Sequence, residues 1–185
     1  MKDLRSQVVS LFETAGPALH ALLTRLTLRE DAAEELMQDL FINLSQSRAF
    51  GKATNPGGYA YRTAINLAFA WRRSRKQGAK SADLGDIPAG ETESPLAKLA
   101  VNEELQRMLQ ALGRLPEPQR TAVVMRYIQQ ESDEAISEQI GRPPQHVRAL
   151  RHRAITSLRR LLREEIRPPA PKETTHARYG RTRNH

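Results

Sequence analysis

Hydrophobic positions recur every three or four residues through most of this chain, the spacing that gathers apolar side chains on one face of an α-helix. The pattern runs from Asp3 to Lys76, with a cluster of turn formers from Gly51 to Gly58 in its middle, and predicts three or four helices. Residues 77–94 lose it. They are rich in glycine and small polar residues and end at Pro95, the chemistry of a tether. Periodicity resumes at Leu96 and continues with breaks to Ile166, after which prolines at 168, 169 and 171 open a basic tail expected to be disordered. The pattern therefore predicts an all-α fold of two small helical domains, 1–76 and 96–166, joined by a flexible linker at 77–95 and followed by the tail 167–185.

Within the second domain, Pro116 and Pro118 precede an apolar run through Val123, Val124 and Tyr127, as suits a helix start. Ser132 offers an N-cap for a helix whose inner face is Ala135, Ile136 and Ile140. Gly141 supplies a tight turn, and Pro143 and Pro144 stand where the next helix begins. That helix turns Val147, Leu150, Ala154, Leu158 and Leu161 inward. Ser137, Gly141, Val147 and Leu150 follow the spacing of a helix-turn-helix, in which two helices pack closely across a short turn. At about 100° per residue, Gln145, Arg148, Ala149, His152, Thr156 and Arg159 fall opposite the buried stripe, with Arg153 and Arg160 at its flank. A solvated helix face also collects basic residues. The major groove is nonetheless a good match: Arg bonds guanine bidentately, Gln bonds adenine, and Ala meets the thymine methyl.

The first domain carries two further patterned faces. DAAEELMQDLFINL buries Ala33, Leu36, Met37, Leu40 and Leu44, which leaves Glu34, Glu35, Gln38, Asp39 and Ile42 outside. In a basic chain, an acidic stripe with isoleucine at its centre repels DNA and fits a basic protein surface, Ile42 supplying buried area and the carboxylates orientation. After Pro56, Tyr61, Ala64, Ile65, Ala68 and Trp71 face inward, while Tyr59, Arg62, Thr63, Asn66 and Arg73 share the outer face. An aromatic ring set among Arg and Asn suits stacking on unpaired bases and tracking phosphates. The turn from Ser47 to Gly58 places Phe50, Lys52 and Asn55 on what is expected to be flexible backbone, able to hold an extruded base.

Charge sharpens this picture. The chain has 185 residues and a formal net charge of +8, which points to a polyanionic partner. By segment the balance is +4 over residues 1–76, −2 over 77–100, +2 over 101–166 and +4 in the tail, so the tether alone is acidic. There is no cysteine, which excludes a disulfide scaffold, a thiolate metal site and a cysteine nucleophile, and suits a reducing cytoplasm. No window approaches the roughly 20 apolar residues of a membrane span, and MKDLRSQVVSLFETAG lacks the plan of an export signal, so membrane insertion is not expected. Asp31, Glu34, Glu35 and Asp39 spread along a solvated face with no His beside them, and no phosphate-binding glycine loop is present. Neither a metal, a cofactor nor an enzyme activity is expected.

DAAEELMQDLFINL, then NPGGYAYRTAINLAFAWRRSRK, then LGRLPEPQRTAVVMRYIQQESDEAISEQIGRPPQHVRALRHRA together resemble the extracytoplasmic-function (ECF) class of bacterial RNA polymerase sigma factors over roughly residues 5–165. The resemblance implies a protein that binds core RNA polymerase and directs promoter-specific transcription initiation, with 1–76 as region 2 and 96–166 as region 4. It assigns Glu35, Gln38, Asp39 and Ile42 to the β′ clamp helices. Phe50, Lys52, Asn55, Tyr59, Arg62, Asn66 and Arg73 fall to opening and reading the minus-ten element, with a non-template base flipped out of the duplex. Gln145, Arg148, Ala149, His152 and Arg153 fall to the minus-thirty-five element, with Arg142 and His146 on phosphates. The β flap and an anti-sigma factor are further implied partners.

Two departures from the family pattern have consequences. Leu150 precedes Arg151 where the family has Arg then Leu, which moves Arg151 to the helix flank, and Gly57 and Gly58 stand where bulkier residues are common, which implies a loose minus-ten loop. A stand-alone helix-turn-helix regulator is the alternative; it requires a dimer interface or ligand pocket, and the first domain offers an acidic helix and a basic helix instead.

Overall fold

A computed structural model describes residues 4–79 and 95–166, and every regular element among them is helical. In the first module α1 (Leu4–Thr27) turns at Leu28 into α2 (Glu30–Gln46), a single turn α3 (Arg48–Gly51) follows, and α4 (Pro56–Ala79) packs across both long helices. The second module consists of α5 (Pro95–Gly113), α6 (Glu117–Val123), a π-helical turn at Val124–Ile128, α7 (Asp133–Ile140) and α8 (Pro144–Ile166). Four helices in the first module agree with the periodicity. α4 runs three residues beyond the boundary expected at 76; the rest of the expected linker, 80–94, and the expected tail, 167–185, lie outside the described residues.

Local chemistry sets the boundaries. Glu30 and Asp31 open α2, where carboxylates complement the positive end of the helix dipole. Ser47 ends α2 and caps α3, its Oγ accepting from the Phe50 N–H at 3.1 Å. Asn55 does the same for α4, its Oδ1 accepting from Gly58 N–H at 2.8 Å, and Pro56 takes the first helical position, where a missing N–H costs nothing. Ser132 caps α7 through Ala135 N–H at 3.1 Å, and Gly141 ends it at φ 64°, a left-handed conformation that disfavours any side chain.

Most of the expected inner faces are buried, with Met37, Tyr61, Trp71, Ala135 and Ile140 half-buried. Leu19, Leu22, Leu23 and Leu26 of α1 meet Leu36, Leu40 and Leu44 of α2 and Ala64, Ile65 and Ala68 of α4. Val147, Ala154, Leu158 and Leu161 of α8 share an apolar cluster with Leu109, Leu112, Val124, Met125 and Ile136, and Leu150 is buried as well. The apolar interiors of the two modules are continuous, forming one cluster. Phe69 of α4 is the join: it is buried against Gly113, where a Cβ would lie 3.4 Å from its Cδ1, and beneath the Arg120 guanidinium, 4.9 Å from the ring centre. Two modules separated only by a tether would leave Phe69 in water. Packing it between them removes that exposure.

Candidate nucleic-acid and partner interfaces

The helix-turn-helix is built as its spacing predicts. Across the turn, Ser137 Oγ donates to the Arg142 carbonyl at 2.6 Å while Arg142 N–H donates to the Ser137 carbonyl at 3.2 Å, which locks the angle between α7 and α8. Gln145, His146, Arg148, His152 and Arg153 are exposed on α8 and Arg142 is exposed in the turn before it, while Ala149 is half-buried on α8. Arg148 is 58% exposed yet already oriented, its Nε donating to Asp133 at 3.3 Å and its Nη2 to Glu134 at 3.4 Å. Arg151 has a different part. Its side chain is 23% exposed and pairs with the same Asp133, itself only 12% exposed, so it clasps α8 to α7 rather than facing outward.

On α2, Glu34, Glu35, Gln38 and Asp39 are exposed and Ile42 is 51% exposed among them, as the periodicity places them. At the head of this stripe Arg29 pairs with Asp31 and holds its carboxyl down at about 2. The stripe faces solvent with its one large apolar side chain at its centre.

The third surface departs from expectation. Phe50, placed by sequence on a flexible turn, is only 1% exposed; its ring packs in the core 5.9 Å from that of Tyr59, because α3 folds it inward. The turn is likewise not loose. Capping by Ser47 and Asn55 fixes both ends, and Tyr59 Oη lies 3.0 Å from Ser47 Oγ. Lys52 and Arg73 are exposed, Tyr59 is half-buried, and the Arg62 guanidinium lies 5.8 Å from the Tyr59 ring centre.

Asn55 and Asn66 both reach across to the second module. Asn55 Nδ2 donates to the Glu138 carbonyl at 3.2 Å; Asn66 Nδ2 donates to Glu117 Oε1 at 2.9 Å, and its Oδ1 accepts from Arg120 Nη2 at 3.0 Å. Gly58, the expected source of looseness, is buried under the main chain of Gln139.

Residues that join the modules escaped the sequence pattern. Arg120 sits on a short helix start and is 6% exposed; burial, with Arg73 nearby, pushes its guanidinium down, and Glu117 partly restores it. Arg72, likewise pushed down by burial, donates to the Leu26 carbonyl at 3.2 Å and to Gln106 Oε1 at 2.6 Å. Charge at these positions reads as surface until a partner element covers it. The one visible signal was Gly58, whose missing side chain allows the cover to approach.

Among the described residues no cluster of three or more potential metal-ligating side chains occurs, and no helix is long and apolar enough to cross a membrane. The chain matches the sigma-70 region 2 family model over residues 11–78 and the sigma-70 region 4 model over residues 105–158, together about two thirds of its length. Among solved structures it is similar to the sigma factor RpoE from Bartonella quintana, crystallised in complex with the anti-sigma factor NepR. The two share 22% identity over 88% of this chain and 98% of that one, with a TM-score of 0.43. No curated protein matches it.

Proposed function

This chain belongs to the sigma-70 family, with regions 2 and 4 of an ECF-type sigma factor that binds core RNA polymerase and directs transcription initiation at promoter DNA, and from that premise we propose how its surfaces divide the work. α2 docks on the β′ clamp helices through Glu35, Gln38, Asp39 and Ile42. Exposure of an apolar side chain at the centre of a carboxylate stripe supports this, since burying Ile42 supplies affinity and the charges set the approach.

The outer face of α8 reads the minus-thirty-five element from the major groove with Gln145, Arg148, Ala149, His152 and Arg153, while Arg142 and His146 hold phosphates. Lys52, Asn55, Tyr59, Arg62, Asn66 and Arg73 open and read the minus-ten element. Phe50 supports Tyr59 from within the core instead of touching DNA. Region 4 also meets the β flap, and an anti-sigma factor is a further candidate partner, as NepR is for RpoE of B. quintana. The work is binding, not bond-making, uses no cofactor, and takes place in the cytoplasm beside the polymerase.

The observation that carries this division is the presence in one chain of a capped helix-turn-helix with a basic outer face and, on the other module, an outward acidic helix centred on Ile42. Reconstituted transcription tests it. Core polymerase with this protein on a promoter library should initiate at a defined subset, and tight core binding with no promoter-specific start would overturn it.

A further inference from the structure

The helix that carries the minus-thirty-five readers extends well beyond them. α8 rises about 35 Å over its 23 residues, whereas Gln145 to Arg153 span about 12 Å of that axis, the width of the major groove. Its remaining turns continue the same face. At about 100° per residue Arg159 stands about 20° from Arg148, Arg163 returns to the angle of Gln145, and Arg160 follows the flank of Arg153. All three arginines are exposed, and with Thr156 and Glu164 they line an open recess of about 410 Å³. Leu158 and Leu161, buried on the opposite side, seat this half of α8 on the core, so the charges project from a fixed backbone.

The fold gives these arginines little to hold. Arg148 is oriented by Asp133 and Glu134, Arg151 clasps Asp133, and Arg72 and Arg120 bond across the two modules. Among the described residues Arg159 and Arg163 have no acidic partner, and Arg160 meets only Glu164, at 3.7 Å between two exposed side chains, a pairing that holds weakly. Three guanidinium groups against one carboxylate leave a concentrated positive field, and the planar guanidinium matches the paired oxygens of a phosphate. The tail, +4 over residues 167–185, has the same sign and is no match for the recess.

Resting on the reading of the minus-thirty-five element by the first half of α8, we propose that Arg159, Arg160 and Arg163 form a phosphate clamp on the duplex that flanks this element. The major groove winds around the duplex while α8 continues as one unbroken helix, so the turns after the readers leave the base edges and pass over the strand that bounds the groove. Arg159, about 16 Å along the axis from Arg148, and Arg163, about 22 Å, then meet phosphates of that strand. These contacts carry no sequence information. They fix the tilt of α8 in the groove, and with it the register in which Gln145, Arg148 and His152 meet the bases.

Holoenzyme formed from core polymerase and the full chain, binding labelled promoter duplexes across a salt series, tests the clamp. The triple variant Arg159→Gln, Arg160→Gln and Arg163→Gln should lower the slope of log affinity against log salt by about 0.9 per phosphate, so that between about 50 and 200 mM salt wild type loses about 40-fold more affinity than the variant. The corresponding triple lysine variant should keep the slope, because the charge is unchanged. Gln and Lys form helices about as well as Arg, so neither variant should alter the melting temperature. Neutral methylphosphonates in place of the phosphates flanking the element, one side at a time, should weaken wild type from one side and leave the glutamine variant indifferent there. Equal salt slopes in wild type and glutamine variant, or an equal methylphosphonate loss in both, would overturn the proposal. A weaker glutamine variant with slope and methylphosphonate response intact would also overturn it, and would identify an acidic protein surface as the occupant. Absence of any base preference at the minus-thirty-five element in wild type is the separate failure of the α8 reading, and the clamp falls with it.

Discussion

Single side chains on α8 that look alike in sequence have separable tasks. Arg148 is aimed outward by Asp133 and Glu134, so Arg148→Ala should relax preference at one base of the minus-thirty-five element, a loss of about 1–3 kcal/mol in discrimination read by selection from a promoter library. Arg142, at the turn, should behave differently: Arg142→Ala is expected to weaken binding across all sequences and lower the salt slope by about one. Ile42→Glu should leave thermal stability unchanged, since the side chain is already 51% exposed, yet weaken core polymerase binding about tenfold or more in a competition assay. Arg25, Arg72 and Arg120 carry the same charge as these readers and were not distinguishable from them in the sequence, because each is defined by an acceptor or ring more than 30 residues away.

At the level of elements, periodicity and capping chemistry located the helices because both are local. Ser132, Gly141 and Pro144 mark the start, stop and restart of the helix-turn-helix within thirteen residues of chain. Gly141 holds φ 64° in open space, so Gly141→Ala meets no clash and is expected to cost only the left-handed penalty, about 1–2 kcal/mol in urea unfolding. Asp133→Ala should cost about 1–3 kcal/mol by stripping the shared acceptor from Arg148 and Arg151, with a non-additive double-mutant cycle against Arg151→Ala. The π-helical turn at Val124–Ile128 and the inward rotation of Phe50 were not legible, since each is set by what packs against it.

For the whole molecule, one apolar interior links modules that the composition divides at a tether. With the acidic face of α2 exposed while the two modules pack together, the double variant Lys76→Cys and Gln110→Cys, joined by a short bis-maleimide, should compete for core polymerase as well as its unlinked form. Loss of core binding on linking would show that the modules must separate for α2 to dock.

By itself the sequence determined the all-helical class, the two modules, the helix-turn-helix and the acidic stripe with Ile42, since each depends on residues within one or two helices and on the 3.6-residue period. Only the tertiary structure decided that Phe50 belongs to the core, that Arg151 clasps α7, and that Asn55, Gly58 and Asn66 lie under α6 and α7. Periodicity assigns a side chain to the inside or outside of its own helix. Whether an outside face meets water, DNA or another helix depends on contacts between distant parts of the chain, and those follow from the folded arrangement.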